Sequence, residues 1–223
     1  MSGVKASRLP AAERRADVLE CACRVFSNGS YRGTTTAEIA REAGVTEPIL
    51  YRHFDSKRDL YIACLEESWA RVRVLWQETV AAEPDPGLWL GAMGRAFLES
   101  AAHRPLMSNL WVQALAEASE DDEIRAYLHS HLTEVHDFAA GVIRRSQAAG
   151  GIPADRDADA EAWIFISLGL LSMADRSLDG LIEDRWIGII GSRRRWLAGK
   201  DITEDERKSW KDRPRGEAGF TRW

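Results

Sequence analysis

Apolar residues recur along this chain every three or four positions, and that spacing predicts helices from end to end. Val18, Ala22, Val25 and Phe26 share one face of a first helix over about 10–27. After the loop NGSYRG, a short second helix begins beyond Thr34, with Ile39, Ala40 and Ala43 on its inner face. The segment 45–54 is a third helix, and Ser56 with Asp59 makes a capping-box-like pair that opens a long fourth helix to about residue 82. EPDPG at 83–87 interrupts the pattern. Helices follow at roughly 87–102, 105–118, 121–149, 156–179 and 183–198, with Gly150-Gly151 and Pro153 separating the longest from the next. No stretch sustains the period-two alternation of a strand, and Asn28-Gly29 follows a helical run, where it reads as a helix stop. The expected fold class is all-α, about nine helices, with a small N-terminal domain ahead of a larger helical one.

Pro48 decides how the third helix is read. Thr46 suits an N-cap, which puts Glu47 and Pro48 in the first turn, where an imino nitrogen has no intrahelical partner to lose. Pro48 therefore begins a helix. Two short helices then meet at a turn centred on Gly44, with small Ala40 four residues before it and Ile39, Ala43, Val45 and Leu50 as the apolar lock. This is the pattern of a helix-turn-helix, whose second helix enters the DNA major groove. A plain helical hairpin inside a bundle would share the spacing, but it would not need Thr46, Glu47, Tyr51, Arg52 and His53 together. Tyr51 and His53 carry donors for phosphate oxygens, although Tyr51 also fits a half-buried core aromatic. Lys57 opens the fourth helix, where its charge opposes that helix's own dipole and suits an outside anion.

Composition narrows the partners. The net charge is -5, but residues 1–60 carry ten Lys/Arg against eight Asp/Glu, so the acidity lies in the remainder. Cys21, Cys23 and Cys64 have no CxxC spacing and read as reduced, buried thiols. The N-terminus has no apolar leader, and AWIFISLGLLSMA at 162–174 is too short to cross a bilayer, so the expected location is cytoplasmic. His129, His131 and His136 with Asp137 suggest a metal, but on one helix His129 and His131 point apart and His136 lies two turns from His129; no metal and no cofactor are expected. No nucleophile elbow, HExxH, P-loop or dinucleotide motif occurs, and Ser172 in GLLSMAD lacks the flanking glycines; the chain is not expected to be an enzyme.

Residues 14–61 resemble the N-terminal domain of the TetR family of bacterial transcriptional regulators. The likeness rests on the first helix, Gly33-Thr34-Thr35, Ile39-Ala40, Ala43-Gly44-Val45, Leu50-Tyr51, His53-Phe54 and Lys57. It implies that Thr35 and Thr36 touch phosphates, that Thr46, Glu47, Pro48 and Ile49 face bases or nearby backbone, and that Tyr51, His53 and Lys57 bind phosphates. Glu47 departs from the lysine or glutamine of many relatives. It either accepts from a cytosine amino group or turns toward Arg52, the second being preferred. Arg52 completes the expected DNA-binding set.

Beyond Tyr61 the likeness is architectural, and it implies an effector pocket followed by a dimer-forming helix pair. Nine tryptophans supply aromatic surface, and pocket candidates are Trp69, Trp76, Phe97, Met107, Trp111, Phe138 and Met173, each of which also suits ordinary core packing. In the 162–174 helix, Trp163, Ile166, Leu170 and Met173 are placed on the inner core, with Ile164, Leu168 and Leu171 toward a partner subunit; Trp186 and Ile190 join them from the last helix. The expected division is a flexible arm at 1–10 that includes Lys5 and Arg8, a helix-turn-helix domain at 11–60, an effector and dimerisation domain at 61–200, and a polar tail at 201–223 with one helical turn near 204–210. The expected function is a ligand-responsive repressor that binds a palindromic operator as a homodimer and is released by a small molecule. The alternative is a helical ligand-binding protein or enzyme whose helix-turn-helix contacts protein.

Overall fold

The computed structural model describes residues 11–103, 106–182 and 185–199, with 101–103, 106–108 and 187 by backbone only. The expected arm and tail lie outside the described residues. Within them the chain forms nine α-helices and no strand: α1 (Ala11–Asn28), α2 (Thr36–Glu42), α3 (Glu47–Leu50), α4 (Lys57–Ala82), α5 (Trp89–His103), α6 (Leu106–Glu117), α7 (Asp122–Ala148), α8 (Ala158–Ser177) and α9 (Trp186–Leu197). EPDPG closes into a single 3-10 turn at Pro86–Leu88.

The helices gather into two compact units that are not consecutive in sequence. The first holds the described residues up to Ala70 together with Leu106–Tyr127; the second holds Arg71–Pro105 and the residues from Leu128 onward. The first unit therefore extends past residue 60 in two ways. The first turns of α4 belong with the N-terminal helices, and so do α6 and the start of α7. The reason is visible where α6 meets α1. A helix leaves its last carbonyls without partners, and α6 supplies them: Asn109 Nδ2 donates to Ser27 O at 3.2 Å, and Gln113 Nε2 donates to Phe26 O at 3.2 Å and Gly29 O at 2.9 Å. Tyr61 of α4 donates its hydroxyl to Leu110 O at 2.8 Å. Val18, Ala22, Phe26, Ile39, Leu50, Leu60, Leu65, Leu110, Ala114 and Ile124 bury the apolar stripes of these helices against one another. Cys21 and Cys64 are buried free thiols and Cys23 is half-buried; burial pushes the pKa of Cys21 and Cys64 up.

In the second unit, α5 packs on α8, with Gly94 facing the Phe165 ring. Ser146 of α7 donates to Pro86 O at 2.7 Å, and Gly151 comes so close to the 3-10 turn that a Cβ there would sit 2.4 Å from Gly87 N and 2.5 Å from the Pro86 carbonyl carbon. Glycine is required at 151 by that approach. Asp157 caps α8, accepting from Asp159 N and Ala160 N at 3.0 and 3.2 Å. At the other end of α8, the buried Asp175 carboxylate accepts from Ile182 N at 2.7 Å and from Trp186 Nε1 at 2.6 Å. A buried carboxylate needs such partners, and the cost of providing them fixes Trp186. Its side chain is buried inside this subunit, so the expectation that Trp186 faces a partner is corrected.

Candidate nucleic-acid interface

The helix-turn-helix forms as the pattern of residues requires. Thr35 caps α2, its hydroxyl accepting from Glu38 N at 3.1 Å. The helix ends in a Schellman-type turn: Val45 N donates to Ala40 O at 2.9 Å and Gly44 N to Arg41 O at 3.1 Å. That turn puts Gly44 at φ +65°, in the left-handed region, while a Cβ there would meet nothing within 4 Å. Glycine is present for its backbone freedom and not for close approach. Pro48 stands in the first turn of α3, which begins at Glu47 after Thr46 in extended conformation. Thr46 makes no capping bond with its side chain.

The third helix is shorter than the expected 45–54. Regular α-geometry runs over Glu47–Leu50, and the chain then tightens, with Arg52 N bonding Ile49 O and His53 N bonding Leu50 O. These three-residue bonds carry the backbone round to Phe54, which is buried, and on to Ser56. Ser56 Oγ accepts from Asp59 N at 3.0 Å and caps α4 as its spacing predicts.

The expected DNA-binding residues occupy one stretch of the first unit but differ in presentation. Thr35, Thr46, Pro48, Tyr51 and Arg52 are exposed, Tyr51 at 46%. Thr36, Glu47, Ile49, His53 and Lys57 are half-buried. The preferred partner for Glu47 is corrected: its Oε1 accepts from Thr36 Oγ1 at 2.6 Å, and Thr36 Oγ1 also lies 3.2 Å from the Tyr51 hydroxyl. Lys57 folds over the Tyr31 ring, its Nζ 4.7 Å from the centroid and 3.5 Å from Arg32 O. Desolvation there lowers its pKa, with Glu117 opposing the shift.

Sequence reasoning missed two arginines of this unit. Arg32 pairs with Glu117 at 2.9 Å and Glu120 at 2.5 Å, which raise its pKa. Arg58 pairs with Asp121 at 3.4 Å and Glu123 at 2.5 Å. Desolvation lowers the Arg58 pKa, but these carboxylates outweigh it and the net shift is upward. No local signal marks either pair, because the partners lie at least 63 residues further along the chain.

The pocket candidates divide between the units. Trp69 and Trp111 are buried in the first. In the second, Trp76 gathers Phe138 at 5.8 Å, Phe97 at 6.3 Å and Phe165 at 5.5 Å between ring centroids, and donates Nε1 to Met93 O at 3.1 Å. Phe165 was not anticipated; its place in an apolar helix gave no hint of which face it takes. Met173 is half-buried, and the Met107 side chain lies outside the described residues.

On α8, Trp163 is exposed at 48% and not in the core as expected; its ring lies flat on His136, with centroids 4.6 Å apart. Ile164 and Leu171 are exposed, whereas Leu168 and, on α9, Ile190 are half-buried. Trp163, Ile164, Leu171 and Leu178 lie along one helical stripe with Ser167 and Ala174 between them, all six exposed. His131 is buried and His129 exposed, and among the described residues no group of His, Cys, Asp or Glu is arranged to hold a metal. No helix among them is long and apolar enough to cross a membrane.

An all-helical chain with a glycine-hinged pair of short helices is a helix-turn-helix protein. Residues 18–64 match the model of the bacterial regulatory proteins of the tetR family, so the N-terminal helices form a domain of that kind. The transcriptional activator FasR of Mycolicibacterium smegmatis is 45% identical over 62 residues, a match spanning 28% of each chain. The transcriptional regulator TtgR of Pseudomonas putida is 27% identical over 207 residues, covering 87% of this chain and 92% of that one. Among solved structures, a regulator from Pseudomonas aeruginosa PAO1 shares the fold with a TM-score of 0.71 at 22% identity, over 92% of this chain and 98% of that chain. FadR of Bacillus subtilis, in complex with stearoyl-CoA, shares it with a TM-score of 0.68 at 15% identity, over 84% and 99%.

Proposed function

We propose that this chain is a ligand-responsive transcriptional regulator that binds a palindromic operator as a homodimer, represses by occupying it, and leaves it when a small molecule binds. The observation that carries the reading is the exposed surface of Thr46, Pro48, Tyr51 and Arg52 on a glycine-hinged helix-turn-helix within a TetR-family domain. Thr35, Tyr51, His53 and Lys57 serve as phosphate contacts that set register, and Thr36 lies beside them with its hydroxyl given to Glu47, while Thr46, Pro48 and Ile49 face the groove. One recognition helix gives few base contacts, so two copies on a twofold axis are needed for a specific site. The exposed apolar stripe of α8, helped by Leu168 and Ile190, supplies that pairing. The likeness to FasR concerns 62 residues and carries no information on the sign of regulation.

The effector is a bulky apolar molecule received by the second unit near Trp76, Phe97, Phe138 and Met173. Support comes from the ring cluster on Trp76 and from the long-chain acyl ligand held by a protein of the same fold. Coupling follows from chain continuity: α4 passes from one unit to the other, and α6 with the start of α7 returns to the first. A ligand that repacks the second unit acts on the first at each of those crossings, and its differential affinity for the two arrangements sets the shift in operator occupancy.

Selection of bound duplexes from a random DNA pool tests the reading. The expected product is a palindrome bound with steep salt dependence. Lys57→Ala should weaken binding and lower the salt slope by about one unit, as loss of one phosphate contact does. Tyr51→Ala should weaken binding with the slope kept. Unchanged affinity in both variants rejects the assignment of the third helix, and recovery of no sequence rejects the regulator reading.

A further inference from the structure

Thr36, Glu47 and Tyr51 are joined in one hydrogen-bonded chain whose direction is fixed by chemistry. A carboxylate only accepts, and a threonine hydroxyl has a single hydrogen. The 2.6 Å contact from Thr36 Oγ1 to Glu47 Oε1 uses that hydrogen. The 3.2 Å contact between Thr36 Oγ1 and the Tyr51 hydroxyl must then run the other way, with the phenol donating. The order is Tyr51 O–H to Thr36 O–H to Glu47 carboxylate. It spans the first residue of α2, the first residue of α3 and the C-cap of α3.

We propose that Glu47 is a positioning residue for DNA binding, which holds Thr36 and Tyr51 at the interface, and that it reads no base. The proposal rests on the regulator reading above. Two features of the molecule favour it. Glu47 is half-buried between exposed Thr46 and exposed Pro48, so its side chain is turned in from the surface its neighbours present. One of its two oxygens, Oε1, is also already engaged through a short, charge-assisted bond. Tyr51 is exposed at 46%, and its hydroxyl is held by the contact with Thr36. On the duplex the phenol transfers its hydrogen bond from Thr36 to a phosphate oxygen, leaving Thr36 and Glu47 paired and α2 tied to α3. The carboxylate's negative charge near phosphates is the cost of this arrangement.

The charge and the acceptor can be separated. Glu47→Gln keeps an Oε1 acceptor for Thr36 and removes the charge, whereas Glu47→Ala removes both. On the palindrome recovered by selection, Glu47→Gln should bind at least as tightly as the native protein. Glu47→Ala should bind about three- to tenfold more weakly than Glu47→Gln, the scale of one hydrogen bond lost from an interface. Thr36→Val breaks the chain at its middle, and adding Glu47→Ala to it should bring no further loss. Selection repeated with Glu47→Ala should return the same bases at every position. Equal binding by the alanine and glutamine variants overturns the proposal, as does additivity with Thr36→Val. A base position whose preference relaxes in Glu47→Ala would show that Glu47 reads it. These failures differ from failure of the regulator reading, in which the native protein selects no duplex at all and the proposal falls with it.

Discussion

Replacing Gly44 by alanine isolates the backbone demand of the helix-turn-helix from every other effect. Gly44 sits at φ +65° and carries the second bond of the Schellman-type turn, to Arg41 O at 3.1 Å. A Cβ there meets nothing within 4 Å, so no clash contributes. What remains is the left-handed conformation, which costs an L-residue with a side chain about 1–2 kcal/mol. Alanine also restricts the unfolded chain, which returns about 0.4–1 kcal/mol. The net expected loss is about 1 kcal/mol, or about 2–4 °C in Tm for a chain of this length. Gly44→Asn should recover roughly half, because asparagine tolerates this region better than alanine does. Urea unfolding checks both values, with the slope m unchanged if only the native turn is affected. Operator affinity should fall in the same order, because this turn sets α3 against α2. A Gly44→Ala protein as stable as the native one, or an asparagine variant no better than alanine, would refute the reasoning.

Two further outcomes are expected. Burial lowers the pKa of His131 to about 4, against a weaker opposing influence of Glu134, from an ordinary 6.5. Between those values the unfolded chain takes up a proton that the folded one does not, so stability present above pH 6.5 is lost as pH falls toward 4, at up to about 1.4 kcal/mol per pH unit. Urea titrations at pH 7, 6 and 5 should show this slope, and His131→Gln should flatten it; an unchanged slope would exclude His131 as its source. Leu171→Asp should dissociate the proposed homodimer, since on each of two symmetric copies it removes an exposed leucine and puts a carboxylate in its place; a loss of about 3 kcal/mol in all is more than a hundredfold in Kd. Sedimentation velocity reads this directly, and a dimer of native affinity would remove α8 from the interface.

Much of the molecule was legible in its sequence because the features concerned are local. Helical periodicity, the cap at Ser56, the first-turn Pro48 and the hinge at Gly44 each depend on residues within one or two turns of one another. Covalent geometry and short-range hydrogen bonds specify such features locally, so the all-α class and the helix-turn-helix could be read directly. Tertiary structure decided what depends on distant partners. Whether Trp163 or Trp186 enters the core is not set by the apolar run that contains one or the aromatic pattern around the other. Trp186 is fixed by the buried Asp175, and Trp163 is left to lie on His136. Glu47 points to Thr36, eleven residues away, and not to nearby Arg52. The place of α6 in the first unit depends on carbonyls of α1 and the turn after it, more than 80 residues earlier. A sequence pattern states that a side chain needs burial or a hydrogen-bond partner; which atom meets that need is decided only when separate helices pack.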